Sequence, residues 1–99
     1  MAIRVQRSSG NVFSDLGFSP DEAENLKIRA DLMIELTKLI ESQDLTPAAA
    51  SKLLGVTQSR IGDLLRGKID CFSVDSLIEM LGHAGARVSF VVTPRSQVA

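Results

Sequence analysis

The sequence predicts an all-α fold, a bundle of four to five helices closed by a C-terminal β-strand. Three observations predict it. Ser19, Thr46, Thr57 and Ser73 each stand where a helix can begin. Apolar residues recur at helical spacing after each of them. Residues 87–93, Arg87-Val-Ser-Phe-Val-Val-Thr93, are instead rich in β-branched and aromatic side chains, as strands are.

The elements follow in order. Residues 1–10 lack helical periodicity and end in Ser8-Ser9-Gly10, which reads as a mobile arm. Ile3 and Val5 flank Arg4, an alternation that forms a short strand if a partner strand is available. Asn11 to Gly17 holds one helical turn at most. Ser19-Pro20-Asp21-Glu22 is a strong helix start: Ser19 caps, Pro20 takes the first helical position, and Glu22 completes a capping box. One long helix then runs from about Pro20 to Gln43. Leu26, Ala30, Met33, Thr37 and Ile40 lie beside Leu32, Leu36 and Leu39 on a broad apolar face. Such a face suits two neighbours, a helix pair and a second subunit both being candidates.

Thr46 and Pro47 start a helix over Ala48–Leu54, which ends at Gly55. Thr57 caps the third helix, which runs to Arg66 and stops at Gly67. Ser73 caps the next, with Val74, Leu77, Ile78 and Leu81 inward and Gly82 and Gly85 at its end. The expected organisation is a flexible arm over 1–18, a helical domain over 19–86, and a strand and tail over 87–99. A lone strand cannot satisfy its backbone. Its partner is the Ile3–Val5 arm, the same strand of a twin subunit, or another protein.

Composition sets limits. Ninety-nine residues suit one domain, and a hydrophobic fraction of 44% supports a folded core. The lone Cys71 permits no intrachain disulfide, which fits a reducing cytoplasm. No apolar run is long enough for a bilayer, and no secretory apolar core stands at the start. The expectation is therefore a cytoplasmic protein with no membrane partner. Cys71 and His83 lack further ligands for a metal site and form no catalytic triad. No phosphate-cradling glycine loop occurs. Neither an enzyme nor a cofactor is expected.

Net charge is −1, but it is unevenly spread. Asp21 to Asp44 holds seven acids and three bases, whereas Lys52 to Lys68 holds four bases and one acid. A small domain can present a basic face while staying nearly neutral overall, but charge alone favours scattered, solvated charges over a nucleic-acid surface.

That basic stretch carries a pattern. With Gly55 as the turn residue, Ala50, Leu54, Val56, Ile61 and Leu64 all fall inward and all are apolar. Ser51 is small where two crossing helices come closest, and Lys52 and Arg60 fall outside. This is a helix-turn-helix pattern, and it points to double-stranded DNA. In its second helix Ser59, Asp63 and Arg66 lie opposite Ile61 and Leu64, flanked by Gln58 and Arg60.

Thr46–Lys68 resembles the Cro/phage-repressor, XRE-like class, whose fold is lambda-repressor-like. The wider span from Asn11 to Val92 resembles antitoxins of the HigA type. The residues that carry the closer likeness are Asn11-Val-Phe-Ser-Asp-Leu-Gly17, the long helix after Ser19, Gly55-Val-Thr-Gln58, Asp63-Leu-Leu-Arg-Gly-Lys68, Phe72-Ser-Val-Asp-Ser-Leu77 and Gly85-Ala-Arg-Val88.

The resemblance implies that Gln58, Ser59 and Asp63 reach base edges. Gln58 suits adenine, Asp63 the cytosine amino group, and Arg60 guanine or a phosphate. Arg66 and Lys68 suit phosphates, as do the N–H groups from Thr57 to Ser59. It also implies a homodimer that represses its own operon and neutralises a ribonuclease toxin. Val88, Phe90 and Val92 of the strand, or the arm, would grip the second subunit or the toxin. The alternatives are a phage-type repressor without a toxin and a protein-interaction module that does not bind DNA. The chain departs from the class at Pro47, which has neither the phosphate-anchoring Gln side chain nor an N–H. Ser51 replaces the usual Ala. Gly62 interrupts the second motif helix at a cost of roughly 1 kcal/mol relative to Ala.

Overall fold

The computed structural model describes residues 2–6 and 12–94. Strand β1 (Ala2–Gln6) precedes helices α1 (Val12–Asp15), α2 (Pro20–Ser42), α3 (Pro47–Leu54) and α4 (Gln58–Leu65). A 3-10 turn (Ile69–Cys71), helix α5 (Val74–His83) and strand β2 (Arg87–Val91) complete the order.

All four expected N-caps form, but the capping box expected of Glu22 does not: its carboxylate accepts from the Ser19 hydroxyl at 3.1 Å instead of the Ser19 N–H. Ser19, Thr46, Thr57 and Ser73 have extended backbones, and their side-chain oxygens accept the N–H groups of Glu22, Ala49, Arg60 and Ser76. Each such bond satisfies a donor that the helix itself cannot, worth about 1 kcal/mol. Before α5 the Ser73 N–H also donates to the Ser76 hydroxyl at 3.0 Å, completing a capping box. The sequence rule looks for Glu or Gln there and passes over a serine.

Helices α2, α4 and α5 stop in the same way. The residue three beyond the helix donates back across the turn: Leu45 to the Ile40 carbonyl, Lys68 to Asp63, and Ala86 to Leu81. A left-handed residue makes each reversal. It is Gly67 in α4, at φ 71°, but Asp44 in α2, at φ 50°.

The core lies between α2, α3, α4 and α5. Leu32, Leu36, Leu54, Ile61, Leu64, Leu77, Met80 and Leu81 are fully buried there. Burying a side chain of this size contributes roughly 1.5–3 kcal/mol, so these residues hold the motif helices on α2 and α5. Of the inward motif positions, Ala50, Leu54, Ile61 and Leu64 are buried and Val56 is half-buried.

At the ends of the chain the structure takes up two of the options the sequence leaves open, a strand in the arm and a helical turn before α2. Residues 1–18 read as a flexible arm, yet Ala2–Gln6 is a strand and Val12–Asp15 a helical turn on α2. β1 pairs with β2 in parallel, Ile3 opposite Val88 and Val5 opposite Phe90. The Ile3 side chain is buried in the core beside α2, which ties the arm down. Of the three partners open to the C-terminal strand, the arm is the one it takes within the chain. Residues 1, 7–11 and 95–99, the remainder of the expected arm and tail, lie outside the described residues. Among the described residues no helix is long and apolar enough to cross a membrane.

Candidate nucleic-acid interface

Three residues separate α3 from α4. Gly55, at φ 70°, turns the chain in the left-handed region. The Ser51 hydroxyl donates to the Val56 carbonyl across the bend. A small residue was needed at position 51 for close approach, and the hydroxyl adds a bond that Ala could not make. The ring of His83, at the end of α5, lies against the turn: a Cβ at Gly55 would come within 3.1 Å of it. Gly55 is thus favoured by its backbone angle, and a Cβ there would also press on the exposed His83 ring.

Beyond the turn Thr57 caps α4 and directs its first residues outward. Gln58 and Ser59 are exposed there, Ser59 opposite the buried Ile61 and Leu64 and Gln58 beside it. The uncharged amide and hydroxyl stand at the helix N-terminus, where the backbone dipole favours an anion.

Arg60 does not stand with them. Its Nη1 donates to the Cys71 carbonyl at 2.7 Å, and the guanidinium sits 4.4 Å from the centre of the Phe72 ring. Arg29 of α2 reaches the same loop and donates to the carbonyls of Ile69 (3.1 Å) and Phe72 (3.3 Å). Two arginines from different helices therefore fasten the segment between α4 and α5. Sequence reasoning read Arg60 as a base or phosphate contact and gave Arg29 no role. Their shared partners are main-chain carbonyls, which no side-chain pattern advertises.

At the far end of α4, Asp63 is half-buried and meets two cations. Arg66 Nη2 lies 3.1 Å and Lys68 Nζ 3.8 Å from its Oδ1. Both basic residues remain well exposed. The expected contact residues thus divide into an open leading end, a self-paired trailing end, and Arg60 turned to the loop.

The strand residues divide too. Val88 is half-buried and packs on the core, whereas Phe90 and Val92 on the same face are 42% and 72% exposed. The apolar face of β2 runs on past the helices that cover its start.

A family model described as "Helix-turn-helix domain" matches residues 12–93. The chain belongs to this family. The match runs from α1 through β2 and so takes in the whole helical bundle of the helix-turn-helix domain. A comparison with curated proteins finds no match. Helix-turn-helix domains are modules with which regulators bind DNA, and α4 occupies the position of their recognition helix.

Proposed function

We propose that this protein is a sequence-specific DNA-binding transcriptional regulator that inserts α4 into the major groove. One observation carries the reading: Gln58 and Ser59 stand exposed at the capped start of a helix that Ile61 and Leu64 anchor in the core. Gln58 reads adenine through its amide, with Ser59 beside it, and Asp63 accepts from cytosine. The first N–H groups after Thr57 receive one phosphate, and Arg66 and Lys68 receive others.

The active form in this reading is a homodimer, with two α4 helices about one helical turn of DNA apart. The support is the apolar strip of Phe90 and Val92, continuous with a two-stranded parallel sheet. Parallel sheets are normally covered on both faces, and a second β2 would extend and cover this one. The likeness of the chain to HigA-type antitoxins supports a further role, repression of its own operon together with neutralisation of a ribonuclease toxin.

Selection of random duplexes by the intact protein tests the DNA reading. Wild type should enrich a defined, two-fold symmetric sequence. Gln58→Ala should then lose about 1–3 kcal/mol of discrimination at one position of each half-site, leaving affinity for random duplexes nearly unchanged. An enriched sequence read equally well by Gln58→Ala would remove this residue from the reading face.

A further inference from the structure

Asp63 is an acid on a surface that meets a polyanion, and the fold surrounds it with cations by two separate devices. Arg66 follows one helical turn later, and its guanidinium lies back along α4 over Gly62. A Cβ at Gly62 would sit 3.3 Å from both Nη1 and Nη2, so the absence of a side chain clears this path. Lys68 arrives by the reversal at Gly67: its own N–H donates to the Asp63 carbonyl at 3.0 Å, which brings its ammonium within 3.8 Å of the carboxylate. The acid is the fixed member of the group. The Asp63 side chain is 21% exposed, against 62% for Arg66 and 53% for Lys68.

We propose that Asp63 is a specificity-determining residue that keeps Arg66 and Lys68 from non-cognate phosphates. This rests on the reading of α4 as the recognition helix. Exposed ion pairs are weak and exchange readily, so the cations themselves can move to phosphates. The penalty falls on Asp63, left beside the DNA backbone with no partner and a like charge nearby. A cytosine amino group in the major groove removes that penalty by donating to the carboxylate. Where the sequence offers such a donor, both cations become available to the backbone. Where it does not, the cations stay paired with the carboxylate and fewer of them reach phosphates. A base contact and the strength of phosphate binding are thereby coupled through one carboxylate.

The test uses the intact protein, a pool of random duplexes of about 30 base pairs, long enough for two half-sites, and a duplex that wild type enriches from that pool. Affinity is followed by fluorescence anisotropy across a salt series. Asp63→Asn should tighten binding to the random pool by about threefold to tenfold and steepen the slope of log affinity against log salt by about 0.9, one further phosphate neutralised. The ratio of enriched to random affinity should fall. In a chain that also carries Arg66→Gln and Lys68→Gln, Asp63→Asn should bring almost no gain. An unchanged salt slope for the single variant overturns the proposal. So does a gain that survives intact without the two cations, because the carboxylate would then act by its own charge alone. A loss confined to one cytosine position, with random binding unaltered, leaves a simple base reader and equally overturns it. If wild type binds neither pool nor selected duplex, the DNA reading itself fails and this proposal with it.

Discussion

Between Leu54 and Gln58 the chain reverses in three residues, while between Gln6 and Arg87 it passes through the whole helical bundle before the strands pair. The first region is made by neighbours in sequence: Gly55 bends, Ser51 bonds Val56, and Thr57 caps α4. The second is made by residues 85 positions apart, Ala2 opposite Arg87, and the helices serve as the crossover that parallel strands require. The difference teaches which part of the molecule stands on its own. The helices on either side of the turn stand on a core of fully buried side chains, whereas among the described side chains of the sheet Ile3 and Val88 reach that core and Phe90 stays exposed.

Cavity substitutions put this contrast on a scale. Ile61 of α4 is fully buried, and Ile61→Ala should lower unfolding free energy by about 3–5 kcal/mol, read by urea denaturation. Ile3→Ala removes the same atoms from the edge of the core, where neighbours can close in, and should cost about 2 kcal/mol. Equal losses would show that the sheet is as integral to the domain as α4. A DNA affinity that survives Ile3→Ala but not Ile61→Ala would confirm that the reading surface depends on the turn and not on the strands.

The same contrast explains what could be read from the sequence. The caps at Ser19, Thr46, Thr57 and Ser73 are decided by bonds spanning three residues, so the sequence displays them. The outward face of α4 follows from helical phase once Ile61 and Leu64 are placed inside. Arg60 has the correct phase for an outer residue but meets Phe72 across the 3-10 turn, a contact that no period encodes. Asp63 was identifiable as an outer residue, but its pairing with Lys68 depends on the reversal at Gly67. Ile3 and Val5 showed strand alternation without naming a partner. Pairing of distant segments is a property of the assembled core, since the entropy of closing so long a loop must be offset by contacts elsewhere.

Gly55 lies where local and distant constraints meet. Gly55→Ala places a side chain in the left-handed region and drives its Cβ toward the His83 ring, 3.1 Å away. The backbone term alone should cost about 1–2 kcal/mol. His83→Ala removes the distant half of the conflict. In that background Gly55→Ala should cost less, by the part due to the ring, as measured in a double-mutant cycle. A fully additive pair would assign the whole requirement for glycine to its backbone angle and leave His83 no share in shaping the turn.

Asp44 gives the smallest expected effect, and it probes the local side of the contrast alone. It occupies the reversal after α2 that Gly67 occupies after α4, with φ at 50° and the same returning bonds. An L-residue there is crowded by its own Cβ. Its carboxylate also lies at the negative end of a long helix, where an acid is unfavourable. Both effects are relieved in Asp44→Gly, offset in part by the greater chain entropy of glycine in the unfolded state. The net gain should be about 0.5 kcal/mol, raising the melting temperature by roughly 2–4 °C for a domain of this size. The carboxylate is exposed and far in sequence from α4, so DNA affinity should not change. A melting temperature that falls instead would mean that the Asp44 side chain makes a compensating bond at the bend, and that the local rule for ending helices carries an exception here.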